Sequence, residues 1–184
     1  MRSTILLILL VCVVGATAVQ AQVINHPLVA LEGAYAARPG ESTRDASFTK
    51  PADVGSVTDV LVHLSGTFVP GVTEDGSGTT YDWTAELVVF LESGPNLYWA
   101  VTMPEAGAFD VTMPFEDLMG SAAAGWDFLA DGPATVSVAL LASGDDGRTI
   151  VSHPSMDLDT AELELHGIVA NHDVSWSDIK NQYR

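Results

Sequence analysis

The sequence predicts an all-β protein, an antiparallel β-sandwich of seven to nine strands with one short inserted helix and a short C-terminal helix. Two observations predict this class. From Val57 onward apolar residues recur at every second position, and turn signals rich in Gly, Pro, Asn and Asp return about every ten residues. Alternation of this kind is typical of antiparallel strands that turn one face to the core.

The clearest strands lie between residues 59 and 113. Alternation predicts that the following side chains face the core: Val60, Val62, Leu64 and Phe68; Tyr81, Trp83, Ala85, Leu87, Val89 and Leu91; Leu97, Trp99, Val101 and Met103; Phe109, Val111 and Met113. Residues 93–96 form the turn of a hairpin. Tyr98 then falls on the opposite face, where we expect it to be exposed beside Val88 and Phe90. An outward face with this many apolar residues predicts a covered or partner-binding surface.

A short helix is expected at residues 114–120. Pro114 suits a first helical position, Glu116 and Asp117 suit the positive end of a helix, and Gly120 suits its stop. Strands resume at residues 126–129, 134–143 (Val136, Val138 and Leu140 inward), 148–151 and 161–169. Residues 57–171 are therefore predicted to form the sandwich domain, with immunoglobulin-like, Greek-key connections.

Residues 1–21 read as an export signal. Arg2 precedes an apolar run from Ile5 to Val14, which is too short to span a bilayer, and small or apolar residues precede a cleavage site after Ala21. The only cysteine, Cys12, would leave with the signal, so the mature chain would start near Gln22 without a thiol. We expect a periplasmic, cell-surface or extracellular protein, and its lack of disulfides favours a bacterial source.

Residues 22–56 are predicted to hold an N-terminal strand region and a polar linker. Residues 23–37 read as one or two short strands, which either complete the chain's own sheet, as we expect, or complete a neighbour's sheet by strand exchange. Residues 38–56 are polar, contain two prolines and show no period. This composition predicts a loop or linker.

Residues 172–184 are predicted to form an amphipathic tail. Ser175 and Asp178 have the spacing of a helix cap, and Trp176, Ile179 and Tyr183 share one face of a helix. The tail either packs on the sandwich as a cap or is displayed as a docking or sorting tag.

The charge of the chain excludes several partners. The formal net charge is −17, and no Lys or Arg occurs between Lys50 and Arg148, an interval that contains fifteen acidic residues. Nucleic acids and anionic lipid surfaces bind through Lys and Arg, so we exclude them as partners. After the signal there is no apolar segment of about 18 residues, so a membrane-spanning helix is also excluded.

Acidic loops offer weak calcium candidates. These are Glu74, Asp75 and Asp82 around a Gly/Ser/Thr-rich loop, and Asp145 and Asp146 in another. Carboxylates and loop carbonyls are the ligands that calcium prefers, although this spacing matches no defined motif. The five histidines show no metal-ligand spacing, and the chain has no motif for nucleophilic, thiol or nucleotide chemistry. We therefore predict no catalytic residue and no required cofactor, with calcium as the one optional ion.

Three acids, Asp157, Asp159 and Glu162, stand at positions i, i+2 and i+5. On a strand the first two share a face, and a bulge would bring the third near them, as a carboxylate pair for glycoside hydrolysis requires. The spacing resembles the Glu-x-Asp-x-x-Glu signature of sandwich-fold retaining glucanases, with Asp in place of the first Glu. A turn and strand end is the simpler interpretation of this segment.

Taken together, the sequence favours an exported, acidic, non-catalytic β-sandwich that acts as an extracellular or cell-surface structural or adhesive module. Self-association or binding to other surface proteins would fit this function. A carbohydrate- or calcium-binding module is the first alternative, with glycans as partners, and a glycan hydrolase is the second.

Overall fold

The computed structural model describes residues 21–38, 41–49, 54–117, 133–144 and 147–169. Several predicted features lie outside the described residues: residues 1–20 of the signal, the strand at 126–129, the calcium candidates Asp145 and Asp146, and the C-terminal helix. The described chain holds thirteen strands and a 3₁₀ turn at Val29–Leu31. In order, the strands are β1 Ala21–Pro27, β2 Gly33–Ala36, β3 Thr43–Phe48, β4 Val54–Val69, β5 Gly71–Glu74, β6 Thr80–Trp83, β7 Ala85–Ser93, β8 Asn96–Thr102, β9 Gly107–Pro114, β10 Glu116–Asp117, β11 Ala134–Ala142, β12 Thr149–Ser152 and β13 Ser155–Val169.

The strands form three antiparallel sheets, and the predicted all-β sandwich class is confirmed. Sheet A has the order β1-β13-β4-β9, with β2 also paired to β13. Sheet B has the order β10-β8-β7-β11-β3, and the small sheet C has the order β12-β5-β6. The described strands outnumber the seven to nine expected because several have only two to four residues, too few to show alternation. None of the described residues forms a helix long enough to cross a bilayer.

One apolar core lies between sheets A and B. The alternation predicted for the long strands β4 and β13 is confirmed, because Val60, Val62, Leu64 and Phe68 of β4 are buried together with Leu163 and Leu165 of β13. Tyr81, also predicted to face the core, is instead 37% exposed on the separate short strand β6. The facing layer, from sheet B, includes Leu87, Val89, Leu91, Val136, Val138 and Leu140. Burial of this apolar surface is the main driving force for the fold.

The predicted face of β8 is wrong. Tyr98 and Ala100 are buried in the core, whereas Leu97, Val101 and Met103 are exposed. The hairpin register explains this reversal, because Leu91 pairs directly with Tyr98 and Val89 with Ala100. Residues directly opposite each other in an antiparallel pair point to the same face, so the inward face of β7 sets that of β8.

The predicted linker at residues 38–56 contains a strand. Strand β3 pairs with β11 at the edge of sheet B, and its Ala46 and Phe48 are buried. Arg44 reaches across to sheet A, where its guanidinium donates to the carbonyl oxygens of Glu32 and Ala34. The segment is therefore part of the sandwich, which corrects the linker prediction.

The predicted helix at residues 114–120 does not begin at Pro114. Residues up to Pro114 belong to β9, Phe115 is buried, and Glu116 and Asp117 pair with Trp99 and Tyr98 of β8. Burial of Phe115 and pairing with β8 prevail over the local helix signals. Residues 118–120 lie outside the described part of the chain.

The N-terminal strands complete the chain's own sheet. Strand β1 pairs with β13 over seven positions, from Ala21 opposite Ile168 to Pro27 opposite Glu162, and β2 pairs with an earlier part of β13. The segment also contributes to the core, through Leu28 and Leu31 between the two strands and Tyr35 within β2. The expected arrangement, in which this segment stays in its own sheet, is the one observed.

Candidate functional site

The Asp75 loop, between β5 and β6, is held together by its own carboxylate. Asp75 Oδ1 accepts hydrogen bonds from the Ser77 amide at 2.8 Å, the Ser77 hydroxyl at 2.6 Å and the Thr79 amide at 3.0 Å. Oδ2 accepts one from the Tyr81 hydroxyl at 3.0 Å. These bonds, led by the one from the Ser77 hydroxyl, lower the pKa of Asp75 to about 2. The carboxylate therefore stays ionised and shapes the turn.

Of the other calcium candidates, Glu74 and Asp82 are described, whereas Asp145 and Asp146 lie outside the described residues. Glu74 and Asp82 lie on the paired strands β5 and β6, at positions opposite Thr80 and Val72. Among the described residues no three His, Cys, Asp or Glu side chains form a group that could hold a metal ion. Calcium binding by these loops stays a prediction.

The three acids of the glucanase-like spacing are separated by a bulge. Register with β4 shifts between Leu158 and Thr160, so Asp159 is the extra residue. Asp157 and Asp159 line one shallow depression of about 330 Å³ on the outer face of sheet A, but Glu162 does not line it. Glu162 instead lies opposite His63. The bulge that the glucanase-like interpretation needs is therefore present in β13. It does not bring Glu162 into the depression, which only Asp157 and Asp159 of the three acids line.

A row of polar side chains crosses the outer face of sheet A. Glu164 of β13 holds two histidines, with its Oε2 2.9 Å from His63 Nε2 and its Oε1 2.5 Å from His166 Nε2. The Thr112 hydroxyl of β9 lies 2.8 Å from His63 Nδ1. The hydrogen bond from His166 lowers the pKa of Glu164, and that from His63 adds to this effect, although partial burial opposes it. The row links three neighbouring strands by side chains alone.

Sequence reasoning missed this row. It found no metal-ligand spacing among the histidines and treated them singly. Glu164 and His166 stand at i and i+2 of one strand, which is the signal available in the sequence. His63 and Thr112 are distant in sequence and come together only through the pairing of β4 with β13 and β9.

The outer face of sheet B carries an apolar patch. We define the outer patch as Leu97, Val101 and Leu141, together with Met103, which follows β8 in the same alternation as Val101. On the same face lie the more buried Val88, Phe90 and Ala139. Three of its members are 41% (Val101), 60% (Met103) and 44% (Leu141) exposed. Glu86 and Glu92 of β7 lie on the same face and are exposed. The patch is therefore apolar at its centre and acidic at its margin.

A groove runs along the seam where β8 of sheet B meets β9 of sheet A. We define this seam groove by its lining: Trp99, Ala100, Val101, Thr112, Met113, Pro114 and Glu116. Its volume is about 170 Å³. Pockets for drug-sized ligands usually measure about 300–1,000 Å³, so this groove is sized for one side chain or one small ring. It places an indole, a half-buried carboxylate and a hydroxyl at one site.

Comparisons with known proteins add little to this description. No protein-family model matches the chain, and a search of curated proteins finds no similar sequence. One similar solved structure is that of a "putative glycoside hydrolase" from Bacteroides thetaiotaomicron, 12% identical, with a TM-score of 0.37, over 71% of this chain and 47% of that chain. The chain thus spans about half the length of that protein. The likeness is too distant to assign an activity.

Proposed function

We propose that the chain is an exported, non-catalytic β-sandwich that acts as a structural or adhesive module at the cell surface or outside the cell. The observation that carries this proposal is the outer patch, where large apolar side chains are exposed on the outer face of sheet B. Apolar patches with a polar margin mark interaction surfaces on proteins. The predicted export signal supports the location.

The charges around the patch indicate what it binds. Glu86 and Glu92 lie on its face, and the central part of the chain has no basic residue to offset them. A protein partner with an apolar centre and Lys or Arg at its margin is complementary to this surface. A second copy of the chain meets carboxylate repulsion, which salt screens.

Light scattering on residues 22–184 tests the proposal at increasing protein concentration, at low and at physiological salt. We expect reversible association that strengthens with salt, because screening weakens the repulsion between acidic margins. Replacement of two patch residues, Met103→Ser with Leu141→Ser, abolishes this association. The matched control is Val23→Ser, since the exposure of Val23 lies between those of Met103 and Leu141 but Val23 is on β1 of sheet A. A monomer at all concentrations that also binds no surface of its source cell would refute the proposal.

A carbohydrate-binding module is the second candidate, favoured by the seam groove. The indole of Trp99 offers an aromatic face for a sugar ring, and Glu116 offers acceptors for sugar hydroxyls. Titration with a panel of oligosaccharides, followed by amide NMR, tests this function. Shifts confined to groove residues support it, and an unchanged spectrum with every glycan counts against it.

A further inference from the structure

We infer that the C-terminal segment, residues 170–184, docks in the seam groove of its own chain, with an apolar side chain in the groove and Lys180 or Arg184 against Glu116. This inference goes beyond the proposed function and does not rest on it. It chooses the cap over the displayed tag, the two alternatives that the sequence leaves open for this segment.

The sheet register places the start of the segment about 20 Å from the groove, at the same end of sheet A. Pro114, which lines the groove, pairs with Leu61, and Leu61 pairs with Glu164 on the next strand. Pro114 is therefore two strand spacings from Glu164, about 10 Å, and the last described residue, Val169, lies roughly 17 Å further along β13. Strands β9 and β13 also run in the same direction, so both approach the same end of sheet A.

The segment is long enough to reach the groove without a second copy. Its 15 residues cover about 22 Å as a helix and roughly 50 Å when extended. The distance from Val169 to Pro114 is about 20 Å from the same strand geometry. A tethered segment in reach of its site binds at high effective concentration, which favours docking within one chain.

The groove has the size and lining for an anchoring side chain. About 170 Å³ lined by Trp99, Val101 and Pro114 suits one aromatic or branched aliphatic group. The segment supplies Trp176, Ile179 and Tyr183 on one predicted helical face. Aromatic anchors seated in small apolar pockets carry much of the energy of peptide docking.

Charge complementarity points to the same occupant. The described basic residues are engaged elsewhere: Arg38 pairs with Glu41, Arg44 binds carbonyls of sheet A, and Arg148 stacks 3.9 Å over the Tyr81 ring. In the helix predicted for this segment, Lys180 and Arg184 would stand one turn apart beside the apolar stripe. Glu116, half-buried at the groove, is a carboxylate that either cation can pair with.

A spin label on the segment tests the inference with the mature chain, residues 22–184. This chain has no cysteine, so Asn181→Cys provides a single labelling site. We expect the label to broaden the amide signals of Val101, Thr112 and Glu116. The signal of Ser155 should stay unchanged, because Ser155 lies opposite Val69 at the other end of sheet A, roughly 30 Å from Pro114 by the same strand geometry. Absence of broadening at the groove would show a displayed tag and overturn the inference.

A mixed sample separates docking within one chain from docking between copies. Labelled chain without ¹⁵N is mixed with unlabelled ¹⁵N chain, at low salt and at a concentration where light scattering gives a monomer, and we expect no broadening at the groove. Broadening in the mixed sample would show that the segment binds a second copy, and the inference as stated would fail.

A charge exchange tests the ion pair. Glu116→Lys is expected to reduce the broadening several-fold, as is the double change Lys180→Glu with Arg184→Glu, and the combination of all three is expected to restore it. The matched control is Glu86→Lys, an exposed carboxylate of the same sheet outside the groove, which should leave the broadening unchanged. Unaltered amide spectra in the rest of sheet B show that each variant is folded. Equal broadening in all variants would refute the role of the ion pair.

Discussion

Glu164 is the residue on which the polar row of sheet A depends. It accepts hydrogen bonds from His63 of β4 and His166 of β13, and His63 in turn contacts Thr112 of β9. Replacement of this carboxylate by an amide removes the negative charge and leaves a single acceptor oxygen for the two imidazoles on a partly buried face. Charge-assisted bonds of this kind contribute more to stability than neutral ones.

We expect Glu164→Gln to lower the free energy of unfolding by about 1–3 kcal/mol near neutral pH. The difference from the unchanged protein should depend on pH. The folded pKa of Glu164 lies below its ordinary value of 4.5, so its stabilising effect is present above about pH 4.5 and is lost as pH falls through the folded pKa. Urea unfolding between pH 3 and pH 7 measures this.

The control for this prediction is Glu162→Gln, on the same face of the same strand. It removes one carboxylate without touching the two histidine contacts. A pH-independent difference for Glu164→Gln, or an equal loss for Glu162→Gln, would contradict the assigned role of the row.

A glycine is required at position 66 because the backbones of β4 and β13 approach each other closely there. A Cβ at this position would lie 2.2 Å from the carbonyl oxygen of Asp157, beside the bulge in β13. We expect Gly66→Ala to destabilise the protein by about 1–3 kcal/mol, because neither backbone can move without loss of pairing. Thermal unfolding measures it, with Gly76→Ala as the control since a Cβ there meets nothing within 4 Å. Equal effects would show that the bulge is adaptable.

At the scale of elements, β3 shows that the segment predicted as a linker stabilises the core. Phe48 is buried at the end of this strand, 4.6 Å from the ring of His26 on β1. Phe48→Ala is expected to lower the free energy of unfolding by about 3–5 kcal/mol, as for other large core residues. Ser47→Ala, at an exposed position of the same strand, is expected to change it by no more than about 0.5 kcal/mol. Urea unfolding of both variants compares them. A small loss for Phe48→Ala would place the segment outside the cooperative fold.

The strands differ in how far the sequence predicts them. In β4 and β13 one face is strongly apolar and the other polar, so alternation alone identifies the buried side. In β8 both faces are apolar, and composition favours the wrong one. The buried face of β8 is instead determined by the short hairpin loop. This loop makes Ser93 and Asn96 direct partners and so places Tyr98 opposite the buried Leu91.

The charge of the whole molecule also has a measurable effect on stability. The net charge is −17, and no Lys or Arg lies between Lys50 and Arg148. Repulsion among the carboxylates therefore lowers the stability of the folded state. We expect an increase in NaCl from about 0.02 M to 0.3 M to stabilise the protein by about 1 kcal/mol, which raises Tm by roughly 2–4 °C. Neutralising Asp82, Glu86 and Asp110 together should reduce this salt effect. A Tm that falls with salt would contradict it.

At the same scale, the candidate sites were less predictable than the fold. Fold class follows from periodicity along the chain, whereas each site depends on residues from different strands. Thr112 and His63 meet only because β9 and β4 pair at one register, and Trp99 meets Pro114 only where two sheets join. Sequence alone does not fix those registers, except across short hairpin loops.

The position of strand β13 also determines how the protein would respond to a pulling force. It lies between β1 and β2 on one side and β4 on the other, and it runs straight into the C-terminal segment. If a partner held the outer patch while the C-terminal end was pulled, the force would act along the axis of β13. The hydrogen bonds on both sides of β13 would then be loaded in shear, all at once rather than one after another. Extraction of the strand would therefore need a high force.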